Sequence, residues 1–380
     1  MRSNRTAAIE IGTRSVRAVE VAGVDRSGFA IVSKIAVAPL PNGAVNAGKI
    51  RNPVLVGHAL TQAVQEAGIK PYGPIVGFGG TCALTEVEIP AGVKPEEREQ
   101  AIRAMRIEIS PVLPLEDSVL SINEANRFVR TDGNTRSRLS VAAVSTEELA
   151  NLVNVCRLAG VEPRAIDLLP AATMRAYVRV PEDTDDVFTV VDVGDSRTLV
   201  ITRGGRDIRS TKQVNMGGRA FTDAILANFD GTEADAEERK RHLYLGDRFA
   251  STNASLRTGY GSTSAAAQEG HSDRLREAVD RVTTELVDQV ANAVSTDAVS
   301  FNNHMTRGIL LAGGAGQMPG LADRITEATG VPVQVARPWA QLQKTKSNLA
   351  YLDSKGAAAD PSLLTEIGPA VGLALWKERS

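Results

Sequence analysis

The sequence has little sulfur and little histidine, and these shortages exclude several chemistries. Its two cysteines, Cys82 and Cys156, lie far apart, and neither has a second Cys or a His at metal-ligand spacing. No zinc cluster is readable, and two free buried thiols in a reducing cytosol are expected. The four histidines, His58, His242, His271 and His304, stand isolated in helix-like sequence. They read as surface or packing residues, which leaves a Ser-His-Asp site without support. An excess of one charge is also missing: 43 Lys+Arg stand against 45 Asp+Glu, a net of −2. A nucleic-acid binder normally carries a basic excess or stripe, so no nucleic-acid partner is expected. No run of 18 apolar residues occurs, so no transmembrane helix is expected. Residues Met1 to Thr6 lack the apolar core of a signal peptide, and no amphipathic anchor follows Trp376. These absences predict a soluble cytoplasmic protein.

What is present fits an ordinary globular chain. Its 380 residues are 43% hydrophobic and 23% charged, enough for two to three domains whose cores need no disulfide or metal. An internal repeat organises it. Ala7 to Val19 and Val190 to Ile201 share one pattern: apolar residues, an acid, an apolar residue, Gly, small or polar residues, then a second apolar run. Glu10 aligns with Asp192 and Gly12 with Gly194. Each segment reads as strand, tight turn, strand. Glycine lets a turn approach a ligand closely, and the polar residues after it offer donors suited to phosphate. An acid aimed into the same space makes sense when a metal, often water-bridged, lies between. Two such hairpins half a chain apart suggest a duplicated domain clamping a phosphate group. Two ordinary Gly-turn hairpins would look the same taken singly.

Three further segments bear on the site. Gly308 to Leu321 is an apolar strand running into a Gly-rich turn, with a helix over Leu321–Thr329. Strand, glycines and helix are how α/β proteins make room for a nucleotide. Gly43 to Lys49 opens like a P-loop, but Ile50 stands where a Ser or Thr would have to bind Mg²⁺, so it reads as a loop. Ser251 to Gly270 is rich in Ser, Thr, Ala and Gly and predicts a flexible loop, followed by a long helix over Ser272–Ser300.

At these residues the chain resembles the actin-like ATPase superfamily. Glu10 to Arg17 resembles its first phosphate motif and Val190 to Arg197 the second. Leu168 to Tyr177 and Ile367 to Leu375 resemble the two connecting helices, and Ile309 to Leu321 the adenosine motif. All five occur in the superfamily's order, end to end. Between them, Ala83 to Leu169 reads as strand (Leu84–Ile89), helix (Pro95–Ile109), two strands (Ser118–Phe128 and Arg138–Val144), helix (Thr146–Ala159) and strand (Ala165–Leu169), a ferredoxin-like order. A small insert there, and the proline-bearing stretch Glu108 to Glu116, resemble the PilM family of type IV pilus proteins, relatives of FtsA.

The resemblance implies an α/β actin-like ATPase fold: two duplicated lobes around a nucleotide cleft, with a small α+β ferredoxin-like insert subdomain. Residues 1–83 would form part of the first lobe, 84–169 the insert for partner binding, and 170–187 a connecting helix and linker. Residues 188–366 would form the second lobe with the flexible loop 251–270, and 367–380 the C-terminal connecting helix.

It also implies ATP and Mg²⁺ as cofactors. Glu10 and Asp192 would hold the metal. Gly12, Thr13, Arg14, Ser15 and Arg17, with Gly194, Asp195 and Ser196 opposite, would bind phosphate. Gly217, Gly218, Glu237, Lys240, Gly313, Gly314 and Ala315 would surround the nucleoside. A solvated charged helix face explains Glu237 and Lys240 equally well. In chaperone relatives a Glu helps position water just before the Pro of the first connecting helix. Here Leu169 precedes Pro170, so tight binding with slow or negligible hydrolysis is expected.

The implied partner is the cytoplasmic N-terminal peptide of a PilN-like inner-membrane protein, with other pilus platform proteins. Membrane association would run through partners only, and self-association is compatible with the resemblance. The alternatives are an FtsA-like division filament and a small-molecule kinase of the same superfamily.

Overall fold

The protein is described from a computed structural model, which covers residues 5–105, 113–179, 186–204, 207–245, 265–300, 306–343, 348 and 362–376. The first half runs β1 (Thr6–Ile11), β2 (Ser15–Val24), β3 (Ala30–Pro39), a short ribbon of β4 (Val45–Asn46) and β5 (Lys49–Ile50), α1 (Pro53–Ala67), β6 (Ile75–Phe78), β7 (Cys82–Pro90), α2 (Arg98–Ala104), β8 (Ser118–Val129), β9 (Thr135–Ser145), α3 (Thr146–Leu158), β10 (Ala165–Leu168) and α4 (Leu169–Tyr177). The second half runs β11 (Val187–Val193), β12 (Thr198–Gly204), β13 (Asp207–Val214), α5 (Gly218–Asn228), α6 (Glu233–His242), α7 (Ala265–Ser300), β14 (Gly308–Ala312), α8 (Leu321–Thr329), β15 (Val333–Val335), β16 (Ala340–Leu342), α9 (Ser362–Glu366) and α10 (Gly368–Ala374).

The repeat read in the sequence is a repeat of topology. In one sheet the order is β10-β6-β1-β2-β3-β16, and in the other β13-β12-β11-β14-β15. Each contains an antiparallel meander, β1-β2-β3 or β11-β12-β13, extended by parallel strands on the side of its first member. The central strands β1 and β11 are nearly all apolar, as strands buried on both faces must be. Late in the chain, β16 returns to the first sheet and pairs with β3, Ala340 opposite Ala30. Each lobe has its own core, one around Ile9, Leu60 and Phe78, the other around Phe221, Leu286 and Ile325.

Local sequence explains the helix ends near the cleft. Asn52 caps α1 by accepting from the Leu55 amide, and Gly68 closes it in the left-handed region at φ 61°. Thr232 and Asp235 form a reciprocal capping box at the start of α6.

Several expectations need correction. The strand Ala165–Leu168 does not complete a ferredoxin-like sheet: it pairs in parallel with β6, Ile166 opposite Val76, inside the large sheet. Helix α3 likewise packs on α1 in the first lobe, where Gly57 faces Leu158. The α+β insert is therefore the antiparallel sheet β7-β9-β8 with α2, around Val87, Ile89, Ile102, Leu139 and Val141. Local order is the same in both arrangements, and only the long-range pairing of β10 separates them. The helix expected from Pro95 begins as a 3₁₀ turn over Pro95–Glu97 before α2. Residues 106–112, including the start of the stretch compared with PilM, lie outside the described residues. Of the expected loop 251–270, residues 251–264 also lie outside them, while 265–270 belong to α7. The false P-loop is the β4-β5 ribbon.

The two lobes are joined through α4 and α10, which pack against each other. A Cβ on Gly372 would overlap the carbonyl oxygen of Ala172, so only glycine permits this approach. We expect Gly372→Ala to cost about 1–3 kcal/mol or more by overpacking, read as a lowered thermal unfolding midpoint. Gly314→Ala, where an added Cβ meets open space, should leave the midpoint unchanged.

Candidate functional site

The two aligned turns close in the same way. The Gly12 amide donates to the Ser15 carbonyl at 3.0 Å, and the Gly194 amide to the Arg197 carbonyl at 2.9 Å. Their tips meet across the lobes, with Thr13 Oγ1 and Ser196 Oγ 2.8 Å apart. Ser196 Oγ also accepts from the Ala47 amide of the β4-β5 ribbon at 2.9 Å. Behind the second turn, the amides of Gly218 and Arg219 donate to the carbonyls of Gly194 and Asp195, both at 2.8 Å. Gly217 lies so close that a Cβ there would press on the Gly194 carbonyl.

Below the turns lies a cleft open to solvent. Glu10 and Asp192 both face it from the ends of β1 and β11. Glu10 is buried; its Oε1 accepts from Arg17 Nη1 at 2.9 Å, and its Oε2 has no hydrogen-bond partner among the described residues. Burial raises the pKa of both carboxyls above the ordinary range, against the pull of Arg17 and Arg197, and the Asp192 charge raises that of Glu10 further. Arg197 is itself buried enough for its pKa to fall. Its guanidinium donates to the Gly79 carbonyl and, at 3.2 Å, to Gln213. Two desolvated acids in one cleft, one with an orphaned oxygen, fit a bound cation: the group that burial has stripped of water is the group an ion would satisfy.

The mouth of the cleft carries a polar clasp. Arg14, on the first turn, donates to Glu233 at 2.6 Å and lies 3.7 Å from Asp195 and 4.0 Å from Glu237. Asn42 and Arg219 also donate to Glu233, at 3.0 Å and 2.9 Å. Lys240, 8% exposed, is held within its own lobe by Glu237 at 2.7 Å, Thr222 at 2.9 Å and the Gly218 carbonyl at 3.3 Å. Burial would raise the Glu237 pKa, but the Lys240 and Thr222 hydrogen bonds bring it below the usual value.

Of the sequence candidates, the structure gathers Glu10, Gly12, Thr13, Arg14, Arg17, Asp192, Gly194, Asp195, Gly313 and Gly314 around this cleft. Gly313 has φ +83°, and a Cβ there would strike Asp192. Ser15 is buried in β2. Ser196, Gly217, Gly218, Glu237, Lys240 and Ala315 form the surrounding frame rather than the lining. Sequence reasoning passed over Gly48, Thr173, Arg197, Leu199, Thr365, Glu366 and Pro369, which also line it. Arg197 was within reach, since it directly follows the polar pair of the second turn. Both cysteines are free, and burial pushes each thiol up to about 11, as inert thiols require.

The family described as type IV pilus assembly protein PilM matches residues 8–253. Among solved structures, the chain is similar to a PilM-PilN type IV pilus biogenesis complex at TM-score 0.71 and 22% identity, covering 97% of each chain. It is also similar to the ethanolamine utilization protein EutJ from Carboxydothermus hydrogenoformans at TM-score 0.50 and 14% identity, covering 98% of this chain and 90% of that one. The fold is the actin-like ATPase fold. No helix among the described residues is long and apolar enough to cross a membrane.

The acid pair sets a sign for mutation. An acid whose folded pKa is raised holds its proton more tightly when folded, so it penalises the native state once pH rises through its unfolded value. Asp192 therefore penalises the folded state increasingly as pH rises above its ordinary carboxylate value. We expect Asp192→Asn to raise the melting temperature of the ligand-free protein, with the gain shrinking as pH falls toward 4. An unchanged or lowered melting temperature at pH 7 would show that the Asp192 charge is already neutralised by Arg17 and Arg197.

Proposed function

This chain belongs to the type IV pilus assembly protein PilM family, and on that premise we propose that it is a nucleotide-binding scaffold of the pilus inner-membrane platform. One observation supports the nucleotide part above the rest. Two equivalent Gly turns meet through Thr13 and Ser196 over the buried Glu10 and the half-buried Asp192. Glu10 and Asp192 would hold Mg²⁺ through water, and the ion would neutralise charge on the phosphate oxygens. Gly12, Thr13 and Arg14 would meet the phosphates of ATP from one side, and Gly194, Asp195 and Arg197 from the other. Gly313 and Gly314 would let the nucleoside lie against backbone.

Turnover should be slow. Leu169 is buried and packs against Gly77 and Gly79, so nothing at that position can orient water. The nearby acid, Asp167, is engaged by Arg175 and by the Leu168 amide at 2.9 Å. Phosphoryl transfer relies on positioning, and a missing water-orienting group costs orders of magnitude.

The partner follows from the similar PilM-PilN complex. For this chain we take it to be the cytoplasmic N-terminal peptide of a PilN-like inner-membrane protein. The protein would then sit in the cytoplasm, at the membrane only through that peptide and other platform proteins. Family membership favours this reading over an FtsA-like filament or a small-molecule kinase.

Purified protein incubated with radiolabelled ATP and Mg²⁺ should retain ATP while releasing phosphate far more slowly than about one per second, the low end of ordinary enzymes. Sustained release above that rate would make it a cycling ATPase, and absence of retained nucleotide would remove the cofactor from the reading. A labelled PilN-like N-terminal peptide should bind with saturable anisotropy, and its failure to bind would remove the partner.

A further inference from the structure

The floor of the cleft is built by an element that the motif reading did not reach. Thr365 and Glu366, the last residues of α9, line the same space as Glu10 and Asp192, together with Thr173 of α4. Three buried side-chain oxygens lining this cleft have no hydrogen-bond partner among the described residues: Glu10 Oε2, Thr173 Oγ1 and Thr365 Oγ1. Thr173 and Thr365 are 0% and 2% exposed. They come from three separate elements, β1, α4 and α9, yet all lie around one cleft. Buried polar atoms are normally satisfied, so such a convergence points to bound solvent or an ion.

We propose that Glu366 supplies a third carboxylate to the outer shell of a divalent cation held by Glu10 and Asp192, with the Thr173 and Thr365 hydroxyls holding the intervening waters. This rests on the nucleotide reading above. Mg²⁺ gives up its waters reluctantly and usually keeps several. Glu10 also has one oxygen committed to Arg17, so it can offer the shell only the other. A further carboxylate offsets that loss. The placement of Glu366 is fixed by packing: the Thr365 carbonyl accepts from Tyr177 Oη at 3.1 Å, and Gly368 lies so close to the Tyr177 ring that a Cβ would overlap it. The connecting helices therefore deliver the third acid to the floor.

The test is Mn²⁺ binding to the full chain, read by the electron paramagnetic resonance of free Mn²⁺, with and without a non-hydrolysable ATP analogue. Glu366→Gln should weaken Mn²⁺ binding about tenfold, the loss typical of an outer-shell partner. Thr173→Val and Thr365→Val, which keep shape and remove only the hydroxyl, should each weaken it severalfold. Glu99→Gln, on the exposed face of α2 in the insert, should leave it unchanged. If Glu366→Gln does not fold, Glu366→Asp serves instead and should weaken binding by a smaller factor. Loss of Mn²⁺ affinity in Asp192→Asn with none in the Glu366 and threonine variants would overturn the proposal and leave the nucleotide reading standing. No Mn²⁺ or analogue binding by the wild-type chain would overturn both.

Discussion

Burying two like charges at facing strand ends is the constraint around which the rest of the molecule is arranged. Glu10 and Asp192 lie near the ends of the central strands of their sheets, where Glu10 is buried, Asp192 is half-buried, and desolvation raises the pKa of both. A desolvated carboxylate is costly unless something positive or hydrogen-bonding stands beside it. The chain supplies this in part. Arg17 comes back along β2 to meet Glu10, and Arg197 is carried inward by the second turn. Both arginines are drawn from the hairpins that present the acids, so one duplicated unit brings its charge and most of its compensation together. The compensation is incomplete, since Glu10 keeps an unsatisfied oxygen. A site left slightly unsatisfied is one that a cation and a phosphate can complete.

The cleft is closed differently at its two ends. At the floor, α4 and α10 touch through Gly372 and Ala172, backbone against backbone, with Tyr177 wedged at Gly368. Such an interface is closely packed and resists continuous deformation. At the mouth, Arg14, Asn42, Arg219 and Glu233 form half-exposed polar contacts between the lobes. Contacts of that kind are worth about 0–1 kcal/mol each. The two ends of the cleft are thus held by different forces, close packing at one and weak polar contacts at the other.

The legible parts of this chain were those where local chemistry and long-range pairing agree. The repeat around Gly12 and Gly194 is such a case, because turn, acid and strand lie within a dozen residues. Helix α8 over Leu321–Thr329 is another, closed at each end by glycine. The insert was read correctly as α+β but drawn too large, because the sequence does not say whether β10 pairs with β6 or with the insert sheet. The start of α7 was hidden by Ser- and Gly-rich composition, which suggests a loop even where a helix forms. Glu366 could not be read as a site residue at all. It is far from Glu10 in sequence, and only the crossing of two connecting helices brings it to the same cleft.

One short segment links the cleft to the insert. Gly79, Gly80 and Thr81 join β6, which pairs with the central strand β1, to β7, which begins the insert sheet. Arg197 of the second lobe grips the Gly79 carbonyl. From the other side, Glu148 of α3 accepts from the Thr81 hydroxyl at 3.0 Å and from its amide, and is itself paired with Lys49 at 2.8 Å. Strand β7 also lies against β13 of the second lobe. The root of the insert is thus held by the same turn that lines the cleft and by the ribbon beside it. A Cβ on Gly80 would strike Glu148 and Phe78, so glycine lets the link run close to both. Arg197 and the insert sheet are thus joined by one hydrogen bond and three residues of backbone.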